Sequence, residues 1–487
     1  MFHRYRTHRL IGVALTAHLA LSTAAFAEEV IFAVEAQGEY NSNILATDTD
    51  QVGSFLTRIG PVVTITDREG RLKQRTVYRG EFVWWADATN LDSYEQYLNA
   101  DVTYQLGKRT SVEVRDAFYD RTTVRFSEAE LEDLADTLDG GVDPYVRNLF
   151  DVRLTHQFSR RVSGRVDFNH ELLDYKGNVS NVDSSFMGGA ASLSYAVTRQ
   201  DTIGIGGAFS YQSYEATGSF LGSRGRTWNG FLSWVHRFEN DLKLNIQGGP
   251  TYVTTVGSRK AVALQSFQEP IPGSPFSSGL AFPCTDEADP VNHPGVFLET
   301  SCSPVLVVGS NPVVRLPIVG TSHIDHSITF FARAGLTKGW ENWTLSANFV
   351  RRQSGASGDS GTSALNRALV TLEYDADRDW SFYASAVWSR RKRFGAPIRH
   401  VDYLVVPDSG GVTQRVAKLT EYGKNRSAND QYSLILGTKR RLTKHLYTEV
   451  TFSYRNQVLE KQVASTRNTE FFVVGASLDY DFDPIWF

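Results

Sequence analysis

The sequence predicts an all-β fold, a transmembrane antiparallel up-and-down β-barrel of about eighteen strands, with sixteen as the neighbouring even count. Three observations carry this. The last segment, Phe471 to Phe487, alternates strictly: Phe472, Val474, Ala476, Leu478, Tyr480 and Phe482 form an apolar stripe against Gly475, Ser477, Asp479 and Asp481. One greasy face and one acidic face suit a wall with lipid on one side and water on the other. Tight charged turns alternate with longer polar connections along the whole chain. Finally, no segment after the N-terminus approaches eighteen consecutive apolar residues, so any crossing of a membrane must be made by strands.

The N-terminus predicts export. Arg4, Arg6 and Arg9 precede an uncharged, mostly apolar run from Leu10 to Leu21, and Ala25-Phe26-Ala27 offers a small-x-small cleavage site. Residues 1–27 are therefore expected to be a signal peptide using the general secretory route, and 28–487 a single barrel domain. An uncleaved anchor is disfavoured because the run is shorter than the ~20 residues of a spanning helix. The whole chain carries a net charge of −4, and loss of those arginines makes the remainder more acidic, which argues against a nucleic-acid partner.

Eight tight turns are expected: Asp67 to Gly70, Gly107 to Arg109, Ser159 to Arg161, Arg199 to Asp201, Glu239 to Asp241, Lys338 to Asn342, Asp375 to Asp379 and Thr443 to His445. Nine longer connections lie near 41–52, 86–93, 121–143, 173–183, 215–225, 255–322, 354–362, 391–429 and 457–468. Seventeen connections give eighteen strands with both termini on the periplasmic side, short turns inside and long loops outside. Parity then assigns faces. Leu242, Leu244, Ile246 and Tyr252 oppose Lys243, Asn245 and Gln247; Phe150, Val152, Leu154 and Phe158 oppose Asp151, Arg153, Thr155 and Gln157. Aromatic residues near strand ends, among them Trp84, Tyr104, Phe158, Trp228, Trp343 and Tyr454, are placed as interfacial girdles, which a soluble sandwich or propeller would not need so regularly.

The same parity nominates a lumen. Arg58, Arg75, Arg79, Arg115, Arg153, Arg165 and Arg333 face inward, as do Asp479 and Asp481 on the last strand. For most of them the expected role is pairing across neighbouring strands; the alternative is an Arg-rich wall guiding a polar or anionic solute. Closure should bring Asp479 and Asp481 beside Glu35, Gln37 and Glu39, an acidic patch that either stays solvated or holds a divalent ion. Asp483 to Phe487 is expected to extend beyond the last strand.

Three loops have features of their own. The loop 255–322 is the longest and holds the chain's two cysteines, Cys284 and Cys302, expected as a disulfide in an oxidising compartment. It is Pro-rich and suits a lid, an inward constriction or a surface epitope. Ser127 to Leu138 has a capping-box start and suggests a short amphipathic helix near the mouth. Arg390-Arg391-Lys392-Arg393 and Arg351-Arg352 lie at the outer rim, where they would meet either lipopolysaccharide phosphates or an anionic glycan. No phosphate loop, nucleophile elbow, zinc motif or convincing Ser/His/Asp set is present. No catalytic residues, resident metal or cofactor are expected, and His323 with Asp325 is a lone rim pair.

Glu39-Tyr40-Asn41-Ser42-Asn43-Ile44 ends the first strand. A Tyr-Asp/Asn-Ser-Asn-aliphatic signature at this place resembles the porin-2-like family of outer-membrane β-barrels, with Asn41 where Asp is frequent. The aromatic closing strand is similar to the insertion signal of Gram-negative outer-membrane barrels. The resemblance implies an outer-membrane location and, for some members, exopolysaccharide or capsule secretion, with a polysaccharide substrate and a periplasmic export partner. Three functions stay open: a passive porin for polar solutes, the exit pore of an anionic exopolysaccharide, and a structural or adhesive barrel working through its loops. Only surrounding lipids and lipopolysaccharide are partners common to all three.

Overall fold

A computed structural model describes residues 29–44, 51–68, 70–122, 144–176, 183–215, 220–259, 315–317, 323–355, 361–407, 413–461 and 467–486. The expected signal peptide, the Ser127 to Leu138 helix and both cysteines lie outside them, as do the side chains of His323 and Asp325.

The first eleven strands are β1 (Glu29–Asn41), β2 (Ser54–Asp67), β3 (Leu72–Trp85), β4 (Ser93–Gly107), β5 (Thr110–Arg121), β6 (Tyr145–Gln157), β7 (Val162–Tyr175), β8 (Ser184–Ala196), β9 (Asp201–Tyr214), β10 (Phe220–Arg237) and β11 (Lys243–Arg259). A three-residue strand, β12 (Arg315–Pro317), follows. Then come β13 (His323–Gly339), β14 (Trp343–Gly355), β15 (Gly361–Asp375), β16 (Trp380–Pro407), β17 (Thr413–Arg441), β18 (Leu446–Lys461), β19 (Arg467–Asp481) and the two-residue β20 (Ile485–Trp486). Leaving out the two short pieces, eighteen strands pair antiparallel in chain order, β11 with β13. β19 returns to β1 through nine residue pairs from Ala33↔Asp481 to Asn41↔Val473. The sheet is a closed antiparallel barrel, in which β13–β14 pairing stops at Ala332↔Arg351 and β13 beyond it pairs with β11 alone.

All eight expected tight turns join consecutive strands at one rim, and four share one device. The Ser159 hydroxyl accepts the N–H groups of Arg161 and Val162, Thr198 those of Gln200 and Asp201, and Thr443 those of His445 and Leu446; the Asp377 carboxylate accepts those of Asp379 and Trp380. A short polar side chain supplying the acceptor two and three residues back is what lets the chain reverse without a neighbouring strand.

The outward face is apolar and bare. Ile328 is 81% exposed, Leu232 66%, Phe55 61% and Ile205 61%, and Phe472, Val474, Leu478, Tyr480 and Phe482 of β19 are also exposed. Exposed apolar surface on this scale belongs against lipid, not water. Aromatic contacts run along its rims: Tyr40 with Phe55 and Phe472, Phe209 with Trp228, Trp228 with Tyr252, and Trp343 with Tyr374.

Two places break the ladder without shifting its register. The β2–β3 pairing runs to Ile59↔Phe82, omits Gly60-Pro61 against Gly80-Glu81, and resumes at Val62↔Arg79. The β10–β11 pairing omits Gly230-Phe231 against Gly249-Pro250 in the same way. Proline has no N–H to give, and the strands close in instead. A Cβ on Gly60 would lie 1.8 Å from the Gly80 carbonyl oxygen, and one on Gly249 1.9 Å from that of Gly230, so only glycine fits.

The structure corrects three expectations. Residues 391–429 are not a loop: β16 and β17 continue as one long hairpin, paired from Trp380↔Arg440 to Pro407↔Thr413. Pairing that resumes beyond irregularities at Phe394–Pro397 and Pro397–Ile398 makes this stretch part of the sheet despite its high polarity. The connection 215–225 is shorter than expected, because β10 already starts at Phe220. Asp483 to Phe487 is not a simple extension, since Ile485 and Trp486 pair again with Val30 and Glu29.

Candidate functional site

The inward face of β3 to β7 is a grid set by register. Asp101, Arg115, Asp151 and Asn169 lie in one row, and Thr103, Glu113, Arg153 and Asp167 in the next. Side chains directly opposed stand ~5 Å apart, and a long arginine also reaches its diagonal neighbour. The ion pairs follow: Arg153 Nη1 to Glu113 at 2.9 Å and Nε to Asp167 at 3.0 Å, Arg165 to Asp167 at 2.6 Å, Arg147 to Glu171 at 2.8 Å, and Arg115 to Asp101 at 3.6 Å. Arg147 is buried; the other pairs are wet and contribute about 0.2–1 kcal/mol each, so they organise the wall more than they stabilise it.

The other residues nominated from parity divide into two kinds. Arg58 is buried, 2% exposed, and bonds Glu39 at 3.2 Å. Arg79 forms an ion pair with Glu35 at 2.9 Å and lies 3.6 Å from Glu81. Arg75 and Arg333 are exposed on the inward face and have no ion-pair partner among the described residues. Asp479 stands directly opposite Glu35, and Asp481 opposite Ala33, so the closing strand does carry its acids to the first strand. Among the described residues no three His, Cys, Asp or Glu side chains converge to hold a metal ion.

β8 and β9 present a different inward face. Gly188, Ala190, Ser192 and Ser194 lie beside Gly204, Gly206, Ala208 and Ser210, without a charge. The ring of Phe231 fills the place over Gly206, where a Cβ would come within 2.4 Å of it.

Depth matters as much as side. Toward the long-loop rim, inward side chains are buried around the circumference: Leu56, Trp85, Tyr145, Val253, Leu365, Val387, Ile435 and Phe471 are all under one-tenth exposed. Toward the short-turn rim, inward Arg75, Gln105, Arg165, Lys243, Arg333, Glu373 and Lys439 are exposed. An eighteen-strand wall leaves space that water fills unless chain occupies it. On one side the occupant is described: Ile44, Leu56, Val83 and Trp85 form a buried apolar cluster, with Ala88 and Leu91 packed against it.

The Tyr40 to Ile44 motif builds that cluster. Tyr40 turns outward onto Phe55 and Phe472. The Asn41 carboxamide oxygen accepts the Asn43 N–H at 2.9 Å, bending the chain. Ser42 locks the seam, its N–H donating to the Phe472 carbonyl and its hydroxyl accepting the Phe472 N–H. Ile44, held by its N–H to the Val52 carbonyl, then points into the mouth.

Sequence reasoning missed this cluster and a tyrosine group beside it. Tyr97 and Tyr119 pack with centroids 5.0 Å apart, and Arg121 lies over both rings. A signal was present: in Trp84-Trp85 and Phe471-Phe472 strand alternation forces one ring of each pair inward. The charged run Arg390 to Arg393 also splits by parity: Arg391 is buried, while Arg390 and Lys392 lie on the outward face with Trp388.

No family model matches the chain, and no curated protein does. Among solved structures it is similar to the outer membrane protein OpdK of Pseudomonas aeruginosa, at 7% identity over 94% of this chain and 100% of that one, with a TM-score of 0.38. It is similar to OpdO of the same organism, at 9% identity over 94% and 98% and a TM-score of 0.38. It is also similar to the ferric-catecholate import receptor Fiu of Escherichia coli, at 10% identity over 92% and 81% and a TM-score of 0.41. The barrel itself rests on the closed β1–β19 pairing and the eighteen-strand order of this chain.

Proposed function

We propose that the protein is an outer-membrane channel for polar solutes whose outer mouth is closed in this state. The carrying observation is the gradient along the inward face, wet and charged toward the short-turn rim and buried toward the long-loop rim. Closed sheets with an apolar outer belt span membranes, and short turns mark the periplasmic side. A closed mouth favours regulated passage, as the exit pore of a secreted anionic polysaccharide requires, over a standing pore.

Planar-bilayer recording tests this. The purified protein should show rare or small openings, and Ile44→Ser, which loosens the apolar cluster at the mouth, should raise open probability. A wide, steady pore in the unmodified protein defeats the closed mouth. Silence of both proteins, with the barrel folded, defeats the channel.

A second reading has its own support. Beyond the last pairings of β16 with β15 (Gly361↔Gly395) and of β17 with β18 (Ser427↔Lys461), the hairpin continues alone to Pro407 and Thr413. Twelve residues at ~3.3 Å each carry it ~40 Å further along its axis. On it β12 pairs, Arg315 with Asp402 and Pro317 with His400. A projection of this length suits attachment to a surface. Shortening the hairpin at 396–426 should then reduce cell adhesion and leave conductance unchanged; unchanged adhesion removes this reading.

A further inference from the structure

Just above the aromatic belt on the long-loop side, the outward face changes character around the circumference. On β10, Arg226 lies two residues beyond Trp228, with Arg224 beyond it. On β14, Arg351 lies two residues beyond Phe349; on β16, Arg390 and Lys392 lie beyond Trp388. Between them stand Thr254, His326 and Asn366. His326 stacks on Tyr252 at 6.1 Å, with Nδ1 3.1 Å from the tyrosine hydroxyl. Arg224, Arg226, Arg351 and Lys392 are exposed and have no counter-ion among the described residues, and among the described residues no acidic side chain faces outward with them on β10 to β16 there.

The rest of the rim is the opposite. Asp430 on β17 meets Arg390 at 3.7 Å, Glu470 on β19 accepts from the Asn456 amide at 2.8 Å, and Asp120 on β5 pairs with Lys176. Charge on that side is acidic and satisfied within the protein.

From this juxtaposition the geometry points to a docking surface on β10–β16 for the phosphorylated headgroups of a glycolipid in the outer leaflet. The aromatic belt fixes the depth at which headgroups begin. Guanidinium groups at that depth match phosphate oxygens in geometry and charge. An apolar wall directly below, including Leu232, Ile246, Phe349 and Val370, receives the acyl chains of the same molecule, which a free phosphate lacks. Arg351 and Arg390 lie two strands apart, ~10 Å, with the Asn366 amide between them; Arg390 keeps Asp430 as its partner, so the exposed Arg351 and Lys392 are the cations one headgroup meets here. The surface rests on the membrane orientation proposed above, and not on whether the lumen conducts.

The test is native mass spectrometry on the full chain purified in detergent, titrated with a bis-phosphorylated lipid A, with its dephosphorylated form, and with inorganic phosphate. Preferential retention of the phosphorylated glycolipid is expected. An Arg226→Gln, Arg351→Gln, Lys392→Gln triple variant should bind it about a hundredfold more weakly, at about fivefold per cation. Single Arg351→Gln and Lys392→Gln variants, each about fivefold weaker, serve where the triple variant does not fold. Glu470→Gln, on the acidic side, should bind like the unmodified chain. Equal retention of the dephosphorylated lipid, inorganic phosphate binding as tightly as the glycolipid, or cation variants that bind undiminished would each overturn the assignment. Bilayer conductance is not read here, so a silent channel leaves the result unaffected.

Discussion

Two sectors of one wall, β3–β7 and β8–β9, share strand geometry and strict alternation yet face the lumen differently. The first interlocks Arg153 with Glu113 and Asp167, Arg147 with Glu171, and Arg115 with Asp101. The second offers Gly188, Ala190, Ser192, Gly204, Gly206 and Ala208, backbone with almost no side chain. Alternation says which residues face inward; it does not say how far they reach. A lumen charged and crowded on one side and uncharged on the other has a field across it from the charged side.

Substitutions can break or sharpen this contrast. The largest effect is expected where bareness is compulsory. Gly249→Leu drives a side chain into the Gly230 carbonyl and should cost more than ~3 kcal/mol, or prevent folding, by heat-modified gel mobility and denaturant titration. Gly189→Ala, whose new methyl would meet only the Asp167 carbonyl oxygen at 3.6 Å, should change stability by less than ~1 kcal/mol. Equal outcomes would show that small residues here answer to something other than backbone approach.

Next comes the face assignment itself. Ile246→Arg places a charge against lipid and should cost about 2–4 kcal/mol if near the bilayer midplane, while Gln247→Arg, facing the lumen, should cost far less. Folding in liposomes measures both, and similar small costs would refute the parity assigned to β11. Arg153→Ala leaves Glu113 and Asp167 without their shared cation. A loss of about 1 kcal/mol is expected at this half-exposed site, with a shift of ion selectivity toward cations in open channels. The smallest stability effect belongs to Ser192→Arg, which charges the bare wall. It should stay within ~0.5 kcal/mol yet move selectivity toward anions; selectivity indifferent to both Arg153→Ala and Ser192→Arg would mean that solutes do not pass between these sectors.

Much of the fold was legible because strand alternation and turn chemistry are local. Thr198, Ser159 and Thr443 announce their turns through the hydroxyls that cap them, and the residue stripe of β19 announces its outward face. The meeting of Asp479 with Glu35 followed from closure alone. The polar stretch 391–429 was misread because a hairpin standing clear of a membrane need not alternate: neither face has lipid to meet. Arg390 to Lys392 looked like part of one basic cluster in the chain, yet Arg391 faces inward and Arg390 and Lys392 outward. Trp85 gave its signal only as a neighbour of Trp84, and its partners Ile44, Ala88 and Leu91 come from two different connections.

The sequence by itself determined the strands, their turns, the face each side chain takes and the pairing order, since all four depend on residues within one hairpin or on the closure of the whole. Only the tertiary structure decided how far charge extends around the lumen, which cations find counter-ions among the described residues, and that Ile44 and Trp85 meet in one buried cluster at the outer mouth. Those properties depend on the register among strands far apart in the chain and on side-chain reach across them, and no local pattern encodes either.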